Sequence, residues 1–155
     1  MTEIEFHANV PDRLHFGCRL LRKVVRSGTS SVVVADGATV AALDRMLWDF
    51  SLTEFVPHCL GSASEAMRAA TPVVLVEQLE PISSYPPGSI LINLGQQIPV
   101  GFEQFERLIE IASVQADDRS AALGRWKHYK SRGYVLKTHD ANVPAGAAAG
   151  AGASP

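Results

Sequence analysis

The segment LGRWKHYKSRGY, residues 123–134, combines Lys and Arg with Trp and Tyr and contains no acid. On a helix each residue advances about 100°, so Arg119, Leu123, Trp126 and Lys130 share one stripe and Lys127 flanks it. Ala122 and Tyr129 turn to the other side, where a sheet would be packed. A stripe that alternates cations with apolar surface suits a ligand that is both acidic and apolar. The same residues have a plainer use, with Trp126 in the core and the lysines on a solvated face. Charge distribution bears on the choice. The formal net charge is −2, yet Arg119, Arg125, Lys127, Lys130, Arg132 and Lys137 are six of the fourteen basic residues. The positive potential is therefore local, which fits a small acidic ligand better than wrapping of a nucleic acid.

Other residues able to do chemistry are sparser. Trp48 lies off the apolar stripe of its own helix and could supply a second wall to the same groove. The string FVPH, residues 55–58, reads either as a strand end in the core or as an exposed apolar ridge for a protein partner. His15 with Cys18, and His58 with Cys59, raise the question of a metal, but paired ligand motifs of the CxxC or HxxxH kind are missing. Cys18 falls on an apolar stripe, where a free cysteine behaves as a small hydrophobe. Neither GxGxxG nor GxxxxGK[ST] occurs, and there is no GxSxG elbow. No catalytic residue, metal or cofactor is expected.

The elements that must position these residues alternate. EIEFHANV predicts a strand, and PDRLHFGCRLLRKVVRSG a helix with Pro11 in its first turn and Gly28 as its stop. SSVVVAD predicts a second strand. After an Asp36-Gly37 turn, Val40, Leu43, Leu47 and Phe50 mark a second helix. Residues 51–70 read as a loop with a short strand at Phe55-Val56. TPVVLVEQ and SILINLGQ predict buried strands separated by the turn-rich PISSYPPG. Phe102, Phe105, Leu108, Ile109 and Ala112 suggest a third amphipathic helix, residues 117–132 a fourth, and YVLKTH a last strand.

Such alternation implies an α/β fold: a Rossmann-like, open, mostly parallel sheet with helices on both faces and no nucleotide-binding motif. A chain of 155 residues fits one domain, here residues 1–140. Residues 141–155 have only small residues and prolines beyond Asn142 and Val143 and are expected to be disordered. There is no apolar leader and no run long enough for a membrane span, so a cytoplasmic location is expected.

Taken together, LDRMLWDFSLTEFVPH (43–58), ILINLG (90–95) and RWKHYKSRGY (125–134) resemble the chi subunit of bacterial DNA polymerase III. The likeness in order and spacing spans about residues 3–140 and implies a Rossmann-like fold without nucleotide chemistry. It also implies a non-catalytic accessory subunit of the clamp-loader complex. Its partners would be the psi subunit and the acidic C-terminal tail of single-stranded-DNA-binding protein, with nucleic acid met only indirectly and no membrane. Position by position, Trp48, Arg119, Leu123, Trp126, Lys127 and Lys130 correspond to the tail pocket, and Phe55, Val56 and Pro57 to the psi-facing surface. Leu123 departs from the family pattern, which has a cation there, leaving Arg119 or Lys127 to meet the tail's carboxylate. Two other readings compete: direct nucleic-acid binding by the basic aromatic helix, and a small α/β enzyme.

Overall fold

A computed structural model describes residues 1–49 and 55–141. Its elements follow in the order β1 (Glu3–Val10), α1 (Arg13–Arg26), β2 (Ser31–Val34), α2 (Gly37–Asp49), β3 (His58–Leu60), α3 (Glu65–Ala70), β4 (Val73–Val76), β5 (Ile90–Asn93), β6 (Arg107–Ser113), α4 (Ala116–Ser131) and β7 (Leu136–Asp140). The strands form one sheet in the order β3-β4-β2-β5-β6-β1-β7, and every pairing is parallel. This is the open α/β arrangement that the alternation predicts. Phe50 and the segment from Asn142 onward lie outside the described residues.

Two apolar clusters sandwich the sheet. Successive strand residues point to opposite faces, so Val33, Val73, Leu75 and Ile92 meet Cys18 and Leu21 of α1 and Leu43 and Leu47 of α2 on one side. Val32, Val74, Val76 and Leu91 meet Ala122 and Tyr129 of α4 on the other. Strands β2, β4 and β5 are buried at every residue. Their sequences are therefore near-continuous apolar runs, as a parallel sheet covered on both faces requires. A bulge in β1 between His7 and Val10, with Asn9 at φ 57°, shifts the register. It carries Val10 to the α1 side, although Ile4 and Phe6 serve the α4 side.

Local chemistry sets the helix ends. Asp12 caps α1 by accepting from the His15 N–H, which leaves Pro11 just outside the helix rather than in its first turn. At the other end Thr29 N–H reaches the Val24 carbonyl around Gly28 at φ 80°. Tyr134 N–H reaches the Tyr129 carbonyl around Gly133 at φ 82° in the same manner, the left-handed closure for which glycine has no steric penalty.

Four expectations are corrected. Residues 102–112 are not a helix: one 3-10 turn at Phe102–Gln104 leads into β6. In β6 every residue from Leu108 to Ser113 is buried because the strand lies between β5 and β1 under helices on both faces. Its apolar positions therefore satisfied a helical template by coincidence. The short strand is at His58–Leu60, not Phe55-Val56, and it pairs with β4. Residues 65–70 form α3 rather than loop, started by Ser64, whose Oγ accepts from the Met67 N–H. The final strand also starts later, at Leu136, because Tyr134 completes the α4 cap.

Candidate interaction surfaces

Helix α4 has two unlike long faces. Asp118, Ala122, Arg125 and Tyr129, spaced four, three and four apart, are buried. Arg119, Leu123, Lys127 and Lys130 are exposed, with Leu123 at 52%. Trp126 is half-buried: part of its ring packs against the cluster on the α4 side, and the Lys130 ammonium stands 4.8 Å from its centroid. An ammonium at that distance is attracted by the negative face of the indole. The spacing thus brings Arg119, Leu123, Trp126, Lys127 and Lys130 onto one outward surface. Asp117 and Asp118 in the first turn and His128 and Lys130 in the last match the helix dipole.

Arg125 is the exception among the clustered cations. Its Nε donates to Glu110 Oε1 at 3.0 Å and its Nη1 to the Gln96 carbonyl at 2.9 Å. Glu110 also accepts from the Tyr129 hydroxyl at 2.6 Å and from Asn93 Nδ2 on both oxygens at 3.1 Å. Burial pushes the Glu110 carboxyl above the ordinary carboxylate range, and the Arg125 charge is the largest opposing influence. Burial, reinforced by Glu110, likewise raises Tyr129. Arg125 therefore adds nothing to the outward positive surface, because its partner charge lies beside it in the interior. The signal for this was an acid inside the apolar run LIEIAS with Arg and Tyr one helical turn apart on α4.

The crevice where an open α/β sheet usually binds ligands lies between strands whose helices cross to opposite faces. Here those strands are β1 and β6. Arg13, at the start of α1, donates to the Leu94 carbonyl at 2.6 Å and faces Asp118 Oδ1 at 3.3 Å. Asp118 Oδ2 accepts from the Ser113 N–H at 2.6 Å. The protein's own ion pair fills this position. Asp117 and Asp118 also place negative charge at the helix end that would otherwise attract phosphate.

A second surface lies at the β3 edge, on the opposite face of the sheet. Trp48 and Phe55 are 58% and 56% exposed with ring centroids 5.2 Å apart. The His58 ring lies 5.0 Å from Trp48 and 6.2 Å from Phe55. Helix α2 packs with α1, whereas α4 packs on the other side over β6. The expectation that Trp48 and Trp126 wall one groove is thereby corrected: the sheet separates them. Val56 is also corrected as a contact residue. It is 1% exposed and belongs to the α1/α2 core, so only Phe55 of the FVP string projects fully, with Pro57 half-buried.

The two His/Cys pairs are divided by geometry. His58 and Cys59 are neighbours in a strand and face opposite sides, with Cys59 in the α4-side cluster. His15 is exposed while Cys18 is buried. Burial pushes the Cys18 thiol up to about 11 and raises that of Cys59. Among the described residues no group of three or more His, Cys, Asp or Glu could hold a metal ion, and no helix is long and apolar enough to cross a membrane.

Fold and surfaces together define a parallel α/β protein whose switch-point crevice is closed by its own side chains and whose exposed tryptophan and half-exposed tryptophan lie on opposite faces. The chain belongs to the DNA polymerase III chi subunit family: the family model described as DNA polymerase III chi subunit, HolC, matches residues 1–137. A relative named DNA polymerase III subunit chi from Pseudomonas aeruginosa is 33% identical over 147 residues, covering 90% of this chain and 96% of the relative. Another of the same name from Haemophilus influenzae is 27% identical over 124 residues, covering 79% of this chain and 83% of the relative.

Proposed function

We propose that this chain is a non-catalytic accessory subunit of the clamp-loader assembly of bacterial DNA polymerase III. It would join the psi subunit to the acidic C-terminal tail of single-stranded-DNA-binding protein during DNA replication in the cytoplasm. The observation that carries the tail site is the outer face of α4. There Leu123 is flanked one turn away on each side by Arg119 and Lys127, and Lys130 lies over Trp126. The cations give orientation and association rate to an acidic peptide, while Leu123 and the open part of Trp126 receive its apolar end. With Leu123 in place of a cation, Arg119 and Lys127 take the terminal carboxylate. Trp48, whose ring is tilted against that of Phe55, moves from the tail site to the psi-facing ridge, and Val56 supports that ridge from beneath.

The test is a fluorescence titration of the Trp48→Phe protein, in which Trp126 alone reports. The ligand is a short acidic peptide ending in Phe, measured at low and moderate salt beside the same peptide lacking its last residue. Saturable binding that weakens with salt and is lost on truncation is expected, with Lys130→Ala weakening it about tenfold, or ~1.4 kcal/mol. Unchanged affinity in Lys130→Ala would remove the stripe from the site. An oligonucleotide that bound more tightly than the peptide would favour direct nucleic-acid binding instead.

A further inference from the structure

Helix α1 carries five Lys or Arg residues and no Asp or Glu among its fourteen residues, which leaves nine of the fourteen basic residues to face all sixteen acids. Its buried residues, Gly17, Cys18, Leu21 and Val24, define the face turned to the sheet. At about 100° per residue, Arg19, Lys23 and Arg26 fall together on the opposite face, and all three are exposed. Lys23 and Arg26 suit the C-terminal end of the helix dipole, but Arg19, midway along, has no such use. Contacts extend this surface sideways. The Arg19 guanidinium stands 5.8 Å from the Phe16 centroid, Phe16 meets the His7 ring at 5.2 Å, and His7 stacks on His139 of β7 at 5.0 Å. Side chains two apart on a strand share a face, so Lys137 lies on the same side as His139, in register with Glu5, and it too is exposed. The acids on this side of β1 are Glu3 and Glu5. Glu5 is occupied by His139 and Arg107, and Glu3 is across from Arg107 in register. Among the described residues, no carboxylate pairs with Arg19, Lys23 or Lys137.

We infer that this face, with Arg19, Lys23 and Lys137 as its contacts, is a seat for the phosphate backbone of duplex DNA. Composition decides the class of ligand. Whereas α4 alternates cations with Leu123 and Trp126, α1 presents cations with no exposed Trp, Tyr, Phe or large aliphatic side chain among them. An acidic peptide finds no anchor there for an apolar end, and an unpaired strand finds no open ring for its bases to stack on. A duplex needs neither, because surface cations meet its phosphates and the released counterions drive binding. Arg19 and Lys23 are about 6 Å apart along the helix axis, close to two phosphate steps of ~3.4 Å on one strand. The acids elsewhere on the chain repel a polyanion, so the contact is one-sided and weak, within the ~10⁻⁴–10⁻⁶ M range of non-specific binding. Helix α1 covers one face of the sheet and α4 the other. A duplex on α1 and an acidic peptide on α4 therefore occupy one molecule without competing, and the inference rests on neither the tail site nor the psi-facing ridge.

Fluorescence anisotropy of a short labelled duplex, titrated with the full chain over about 20–200 mM salt, tests this. Saturable binding is expected, with log K falling against log salt at a slope of about −3, close to −0.9 for each of three phosphates. Each of Arg19→Gln, Lys23→Gln and Lys137→Gln should make the slope shallower by about 1. The triple Gln variant should lose at least about tenfold in affinity at the lowest salt, whereas Arg119→Gln with Lys127→Gln on α4 should change nothing. A triple variant that keeps the charges, Arg19→Lys with Lys23→Arg and Lys137→Arg, should bind like the wild-type protein. If it binds as poorly as the Gln triple, contact through charge is overturned. Absence of binding at the lowest salt, an unaltered slope in the Gln triple, or an equal loss in the α4 variant would each overturn the inference. Tighter binding of a single strand of the same length would overturn the duplex assignment. The acidic peptide should bind the Gln triple as it binds the wild-type protein, so failure of this seat and failure of the tail site are read separately.

Discussion

Arg119 and Arg125 differ only slightly in sequence context and completely in consequence. Arg119 is exposed on α4, while Arg125 is buried against Glu110 and a main-chain carbonyl. Removing one member of a buried pair strands the other charge in the interior. Arg125→Ala should therefore destabilise the fold by about 3–5 kcal/mol, and Arg119→Ala by no more than about 0.5 kcal/mol. Urea unfolding of both variants measures this directly. Equal small losses would mean that Glu110 is not held as the geometry indicates. The segment RWKHYK by itself does not reveal the role of Arg125, since the decisive partner lies fifteen residues away on β6.

At the scale of elements, the weakly covered part of the sheet is its β1–β7 end. Lys137, Thr138 and His139 of β7 are exposed. Glu5 on β1 links three strands there, with His139 Nε2 of β7 at 2.7 Å, Arg107 Nη2 of β6 at 3.0 Å and His7 Nε2 at 3.5 Å. The carboxyl is held down at about 2, from an ordinary 4.5, by hydrogen bonding to His7 first and then by Arg107 and the histidine charges, against the opposing effect of burial. By distance His139 is the closer partner. A depressed carboxylate contributes stability that is present above its ordinary range and lost as pH falls toward the folded-state value. The melting temperature of the wild-type protein should therefore exceed that of Glu5→Gln at pH 6, and the gap should shrink as pH falls from about 4.5 to about 2. A gap that widened on acidification would contradict the assignment. The acidic and imidazole residues were legible in EIEFH and KTH. Their meeting was not, because it depends on β7 lying parallel beside β1.

Over the whole molecule, the Trp48–Phe55 ridge and the α4 stripe occupy opposite faces with the sheet between them. Residues that share no partner and are well separated act additively to within about 0.5 kcal/mol. Phe55→Ala should thus leave acidic-peptide affinity unchanged, Lys130→Ala should leave psi binding unchanged, and the double variant should show the sum of the two effects. Calorimetric titration of the four proteins with each ligand checks this. A coupling above about 1 kcal/mol would mean that the two surfaces communicate through the sheet.

Sequence alone determined the features that depend on near neighbours. The runs SVVV, VVLV and ILIN are too apolar and β-branched to be anything but buried strands. Gly28 and Gly133 mark helix ends through contacts within five residues, and four-and-three spacing placed Arg119, Leu123, Trp126 and Lys130 on one side of α4. Tertiary structure decided whatever depended on which elements became neighbours. RLIEIAS is a strand because it enters the middle of the sheet, where burial on both faces erases the alternation that distinguishes a strand from a helix. Val56 is buried and Phe55 exposed because the chain enters β3 beside α2. Trp48 and Trp126 lie on opposite faces because a crossover places each helix on one face or the other of the sheet, and local periodicity contains no information about that choice.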